Sequence, residues 1–100
     1  MSYSLVFSSE AQEDIIESIA WYNQERENLG FEFYGQVSEK LSLLGERPLH
    51  YSIRFKNIRI TLVRRFPYLI YFKVAEKRTS IIILGVLHTN RDPQTIKKRM

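Results

Sequence analysis

Residues 51–88, YSIRFKNIRITLVRRFPYLIYFKVAEKRTSIIILGVLH, decide the fold because apolar side chains recur there at every second position. A period of two puts alternate side chains on opposite faces and predicts β-strands. Lys56-Asn57 predicts a turn inside the stretch, and Phe66-Pro67 interrupts it again. The last run is apolar on both faces, which predicts a strand in the middle of a sheet. The predicted strands cover residues 51–55, 58–62, 68–74 and 80–88.

The residues before this stretch change to helical spacing. Residues 2–7 alternate and predict an opening strand, after which Ser8 and Ser9 offer N-caps for a first helix. A turn around Gly30 leads into a second helix that stops at Gly45. The apolar stripes recur at intervals of three and four and consist of Ala11, Ile15, Ile19 and Tyr22, then Phe33, Val37, Leu41 and Leu44.

The predicted architecture is α+β. An N-terminal strand precedes an antiparallel two-helix hairpin, and a meander of three or four antiparallel strands follows, with a short C-terminal tail or helix for which Asp92 is the cap and Pro93 the first residue. At 100 residues, the chain has the length of one domain, residues 1–100. The helices are expected to cover one sheet face and to leave the other, built from the basic half, open.

Composition excludes several classes of protein. With no cysteine among 100 residues, disulfides, thiolate catalysis and cysteine-based metal sites drop out. Two histidines that lie 38 positions apart make a poor metal set, so we expect neither metal nor cofactor. The start has no basic signal-peptide region, and the longest apolar run, residues 81–87, is too short to span a membrane. These features predict a cytoplasmic protein without a membrane partner.

Charge is divided unequally between the two halves of the chain. Residues 1–50 hold three basic and nine acidic side chains, a net charge of −6, whereas residues 51–100 hold twelve and two, a net charge of +10. Such a split predicts a positive surface suited to phosphates or to an acidic protein segment, although a solubilising surface explains it equally well. Acidic residues of the first helix are expected to form a solvated face: Glu10, Glu13, Asp14 and Glu17.

The basic half supplies the candidate site residues. Several arginines on one sheet face would hold a phosphate backbone bidentately, and His88 would move a proton near neutral pH, although a histidine at a strand end is more often structural. Aromatic side chains near them would stack on bases or belong to the core, and Trp21 and Tyr22 are expected to pack between the helices. The candidate binding residues are Arg54, Lys56, Arg59, Arg64, Arg65 and Arg91, and the candidates for nuclease catalysis are Arg59, Arg65 and His88.

An ordered set of residues resembles the RelE/ParE toxin superfamily over nearly the whole chain. The set comprises Trp21-Tyr22, Leu29-Gly30, Pro48, Ile58-Arg59, the F-P-Y-x-I-Y run at 66–71 and the H-x-x-R-D-P run at 88–93. The resemblance implies the toxin half of a type II toxin–antitoxin pair with the α+β fold. It also implies a cognate antitoxin, which neutralises the toxin by direct binding and often represses the shared operon with it.

Members of the superfamily have one of two activities. RelE-like members are ribosome-dependent mRNA endoribonucleases that use basic residues and a tyrosine, and ParE-like members inhibit DNA gyrase by binding. Here Thr89 follows His88 and no tyrosine occurs after Tyr71, so the sequence resembles the ParE branch more closely. We therefore expect a gyrase inhibitor that is not itself an enzyme. The alternatives are a metal-independent endoribonuclease acting on ribosome-bound mRNA, and a non-toxic operon co-repressor.

The expected partners follow from this reading. An acidic antitoxin segment, disordered alone, is expected to lay a helix or strand on the basic half. Operator DNA is expected as a partner only together with the antitoxin, and DNA gyrase, or else the ribosome and mRNA, as the target.

Overall fold

The computed structural model describes residues 2–100 and has an α+β architecture, as the sequence predicts. Short 3₁₀ turns occur at Pro48–His50 and Glu76–Arg78. The strands are β1 (Ser4–Phe7), β2 (Ile53–Phe55), β3 (Ile58–Leu62), β4 (Tyr68–Ala75) and β5 (Ser80–His88), and the helices are α1 (Ser9–Glu25), α2 (Leu29–Glu46) and α3 (Gln94–Arg99). In this part of the chain no helix is long and apolar enough to cross a membrane.

The five strands form one mixed sheet in the order β1-β5-β4-β3-β2. Strands β2 to β5 make the predicted antiparallel meander, and β1 pairs in parallel with the first half of β5. Strand β5, which is apolar on both faces, therefore lies between the strands β1 and β4, as predicted. A bulge at Leu84 shifts the β4–β5 register between Tyr71 and Phe72. Because β1 is short, β5 has no strand beside it from Leu84 onward on that edge.

The helical hairpin covers one face of the sheet. Both predicted stripes point inward, and Phe33 of the α2 stripe is buried together with Tyr68 and Phe72 of the sheet. Ser8, rather than Ser9, caps α1, since its Oγ accepts the Ala11 N–H at 3.0 Å. Burial of each large apolar side chain in this core contributes roughly 1.5–3 kcal/mol to stability.

The turn between the helices differs from the prediction. Helix α1 ends at Glu25 and α2 starts at Leu29, so Gly30 lies inside α2. A Cβ at this glycine would stand 2.1 Å from the Ile19 carbonyl oxygen, and the Asn23 side chain of α1 accepts the Gly30 N–H at 2.7 Å. The glycine is therefore required by the close approach of the helices, whereas the turn itself uses Asn28 at φ 68°.

The second face of the sheet corrects the prediction of an open, basic surface. It is apolar, and α3 covers part of it by burying Ile96 against Ile58 and Tyr71. Helix α3 starts at Gln94 with Pro93 at its N-cap, one residue later than predicted, although the Asp92 side chain still accepts the Gln94 N–H at 2.9 Å. Most charged side chains of the basic half lie instead in turns and at strand ends, because the alternation assigns both faces of β4 and β5 to apolar residues. The part beside α3 consists of half-buried Phe55, Ile60, Leu69 and Ile82.

Candidate functional site

The structure divides the candidate basic residues between two ends of the sheet. Arg54, Lys56 and Arg59 lie at the β2–β3 turn. Arg59 pairs with Phe72 across β3–β4, and His88 pairs with Tyr68 across β4–β5. Four residues along β4 and two strand spacings across put the Cα atoms of Arg59 and His88 about 16 Å apart. The residues at the other end are Arg64, Arg65, His88 and Arg91.

Arg59 makes contacts within the fold. Its guanidinium donates to the Tyr51 carbonyl at 2.6 Å and to the Leu49 carbonyl at 3.3 Å. These bonds hold the segment that leads from the Pro48–His50 turn into β2. Arg59 therefore stabilises the fold, and its positive charge points toward these backbone carbonyls.

Arg65 lies in the β3–β4 loop at the opposite end. Its guanidinium pairs with Glu32 at 3.2 Å, and Arg26 pairs with the other oxygen of the same carboxylate at 3.2 Å. The Arg65 guanidinium also lies 5.8 Å from the centre of the Phe66 ring. The backbone of Arg65 is left-handed, at φ 71°, a conformation that costs an arginine more than a glycine. Glu32 thus connects α2 to the β3–β4 loop through exposed ion pairs.

His88 closes β5 at the same end. Its Nδ1 accepts the Asn90 N–H at 3.0 Å, and its ring contacts Tyr68 edge-to-face at 5.4 Å. With Nδ1 accepting, the ring proton lies on Nε2. The Thr89 N–H donates to the Pro67 carbonyl at 2.8 Å, which fastens this loop to the β3–β4 loop.

The aromatic side chains meet between α1 and the sheet. Tyr22 contacts Phe33, Phe66 and Tyr68 with ring centres 5.1–6.0 Å apart. Burial, and next the neighbouring Tyr68 phenol, raise the pKa of Tyr22 to about 12. Tyr68 and Tyr71 are buried, which confirms the core assignment over base stacking. The expectation for Trp21 is wrong, because 54% of its surface is exposed.

Sequence reasoning missed the Asp14–Arg99 ion pair. Asp14, predicted in a solvated face, is only 8% exposed and binds Arg99 through both oxygens, at 2.6 and 3.0 Å. The pair covers the edge of β5 that β1 leaves open, since Asp14 also accepts the Val86 N–H at 3.0 Å and Arg99 donates to the Leu84 carbonyl at 3.1 Å. The hydrogen bond to Asp14 raises the pKa of Arg99.

Two sequence signals pointed weakly to this pair. Asp14 directly precedes the core residue Ile15 and so lies at the border of the apolar stripe. Gly85 has no side chain and so leaves room beside β5 for side chains of another element. A Cβ at Gly85 would lie 2.7 Å from Ile96 Cδ1 and 2.8 Å from Arg99 Nη1. Neither signal identifies a partner 85 positions away.

Metal ligands are not gathered anywhere in residues 2–100. No group of three or more histidine, aspartate or glutamate side chains there has the proximity to hold a metal ion.

Solved toxin structures share this fold. The chain aligns with a chain of the chromosomal ParDE toxin–antitoxin system from P. aeruginosa at a TM-score of 0.75 and 18% identity, covering 87% of this chain and 96% of that one. It aligns with the E. coli RelBE toxin–antitoxin complex at 0.70 and 18%, covering 90% and 100%. For the isolated E. coli RelE toxin the TM-score is 0.70 and the identity 17%, covering 99% and 100%. No curated protein sequence matches the chain.

The fold is thus that of the RelE/ParE toxins, as the resemblance implied. A family model described as the ParE toxin of the type II toxin–antitoxin system, parDE, matches residues 5–93. The chain belongs to this family and is a toxin of a type II toxin–antitoxin system.

Proposed function

We propose that this toxin arrests growth by binding and inhibiting DNA gyrase, and that it cleaves no nucleic acid itself. The observation that carries the proposal is the separation of Arg59 from the other nuclease candidates: its Cα lies about 16 Å from that of His88 by strand geometry. Arg59 holds backbone carbonyls, and Arg65 pairs with Glu32. Membership of the ParE family and the absence of a tyrosine after Tyr71 support the same function.

A supercoiling assay tests this proposal. Purified toxin, freed of antitoxin, is titrated to micromolar concentration into gyrase, ATP and relaxed plasmid. We expect loss of supercoiling, and its recovery when antitoxin is added first. The double variant Arg64→Ala/Arg65→Ala should inhibit more weakly, whereas the control Lys77→Ala, at the far end of β4, should inhibit like the parent. Unchanged supercoiling at micromolar parent toxin refutes gyrase as the target.

The second candidate is a metal-independent endoribonuclease acting on mRNA at the ribosome. One observation favours it: His88 and Arg91 line the same cavity, so a group that can transfer a proton lies beside a cation. Mapping of mRNA 5′ ends after induction distinguishes the two. New ends in phase with codons, lost in His88→Ala and Arg65→Ala, would establish the nuclease. Growth arrest without new ends supports gyrase, and no growth arrest at all supports a co-repressor.

The proposed partner of the free toxin is a cognate acidic antitoxin in the cytoplasm, which joins it on operator DNA. The structures of related toxins in complex with antitoxins support such a partner. Residues 51–100 carry a net charge of +10, so attraction to an acidic segment should weaken as salt rises. The apolar residues beside α3 would add anchors that salt does not affect. An affinity that stays constant between low and high salt would contradict the electrostatic contribution.

A further inference from the structure

A shallow cavity of about 410 Å³ opens where α1 faces the end of β5. Trp21, Tyr68 and His88 give it aromatic walls, and Asn90 and Arg91 give it a polar rim. Small-ligand sites commonly occupy 300–1,000 Å³ and combine aromatic surface with a few polar groups that fix orientation. The cavity meets both conditions and involves neither Arg59 nor Arg65.

The aromatic wall is exposed but held in place. The Trp21 ring packs edge-to-face on Tyr22 at 5.0 Å and 82°, while 54% of the residue remains in contact with solvent. Tryptophan is usually largely buried, so a fixed ring with this exposure leaves apolar surface available to a planar ligand. Nucleic-acid bases stack on exposed aromatic rings of this kind.

The polar groups at the rim have hydrogen-bonding capacity left over. His88 uses Nδ1 on Asn90 and keeps its Nε2–H as a donor. Within residues 2–100, the Arg91 guanidinium has no carboxylate partner, and the Asn90 side-chain amide makes no hydrogen bond. A guanidinium binds phosphate bidentately, and an asparagine amide matches the N6/N7 edge of adenine.

Charges of both signs lie near the cavity. Arg64 and Arg65 lie at the same end of the sheet. Asp14 and Glu17 line an adjoining recess of about 70 Å³, but the Asp14 carboxylate is already paired with Arg99. The other acidic side chains near Arg91 are Glu17, in the same recess, and Asp92, which accepts the Gln94 N–H.

We propose that this cavity binds an adenine nucleotide, with the base stacked on Trp21, the base edge on Asn90 and the phosphate on Arg91 and His88. The ligand is either a free nucleotide or a residue of a single strand, since both present the same base and phosphate. This proposal is tested separately from gyrase inhibition, because nucleotide binding is measured with the toxin and the nucleotide alone.

Trp21 is the single tryptophan of the chain, so its indole N–H gives one resonance that reports on the cavity. We would titrate ¹⁵N-labelled toxin with adenosine 5′-monophosphate and follow this resonance. A saturable shift is expected for the nucleotide, and about tenfold weaker binding for adenosine, because the charge-assisted phosphate contact is lost. Oligoadenylate that binds at least tenfold more tightly than the mononucleotide assigns the site to a strand, and equal affinity assigns it to the free nucleotide.

Two charge-matched variants make the test specific. Arg91→Gln should weaken binding of the mononucleotide about tenfold, whereas Arg78→Gln, at the opposite end of β5, should bind like the parent. Absence of a saturable shift up to about 5 mM overturns the proposal. Equal shifts with adenosine and the mononucleotide, or equal weakening in both variants, also overturn it, since they indicate unspecific stacking on an exposed ring. A saturable shift with an acidic peptide and none with the nucleotide would overturn the proposal and assign the cavity to a protein partner instead.

Discussion

Replacing Arg99 by methionine is expected to destabilise the fold by about 3 kcal/mol, although Arg99 lies one residue from the C-terminus. The side chains of Asp14 and Arg99 are only 8% and 14% exposed. Removing one partner of a buried pair costs about 3–5 kcal/mol, because the remaining charge is left in a poorly solvated place. The lower end applies here, since the Asp14 carboxylate keeps its bond from the Val86 N–H.

Thermal unfolding with circular dichroism measures this loss. For a chain of about this size, 3 kcal/mol corresponds to a fall in Tm of about 12–24 °C. Lys98→Met is the control, because Lys98 lies exposed on the same short helix and forms no ion pair in the described chain. The loss should persist at high salt, because the pair is shielded from solvent.

The double variant Asp14→Asn/Arg99→Met separates this explanation from a loss of packing. Asparagine keeps an acceptor for the Val86 N–H and removes the buried charge that Arg99→Met leaves unpaired. The double variant should therefore be about 1 kcal/mol more stable than Arg99→Met alone. If it is less stable by the full cost of a second substitution, or if Arg99→Met lowers stability no more than Lys98→Met, the buried-charge reasoning is refuted.

Three further predictions concern the rest of the fold. Gly30→Ala should lower the free energy of unfolding by about 1–3 kcal/mol, because the new methyl group clashes with the α1 backbone. Gly35→Ala should raise the free energy of unfolding by up to about 1 kcal/mol, because its methyl group meets no atom within 4 Å and alanine favours a helix. Urea denaturation compares the two variants. The pKa of Tyr22 is raised to about 12 in the fold, whereas an unfolded tyrosine ionises near pH 10. The contribution of Tyr22 to stability is therefore fully present below about pH 10 and is lost as the pH rises through about 12. Tyr22→Phe should flatten this alkaline loss in unfolding curves recorded over a series of pH values. Arg59→Ala should lower stability by about 1–2 kcal/mol by freeing two carbonyls, and a loss of activity with unchanged Tm would instead favour a catalytic role.

The predicted elements came from local periodicity, and most of them are confirmed. The run of residues 80–88, apolar on both faces, placed β5 inside the sheet, and the stripe of α1 placed Ile15 and Tyr22 toward the core. Periodicity shows which face is apolar but does not identify the segment that covers it. For this reason the sequence predicted an open second face and did not foresee that Ile96 of α3 packs on it.

The candidate site was less predictable. Residue types identified the basic set, yet the strand register, which depends on nonlocal pairing, separated Arg59 from His88. The aromatic side chain of Trp21 predicted a buried position. The apolar stripe of α1 faces the core, however, and this orientation of the helix leaves Trp21 exposed to solvent beside Arg91.

By itself the sequence determined the α+β class, the succession of strands and helices and the resemblance to the toxin superfamily, because each is encoded in neighbouring residues or in their order along the chain. Only the tertiary structure decided that Asp14 is buried with Arg99 and that the basic residues fall at opposite ends of the sheet. Those features depend on contacts between residues far apart in the chain, and spacing along the sequence carries no record of such contacts.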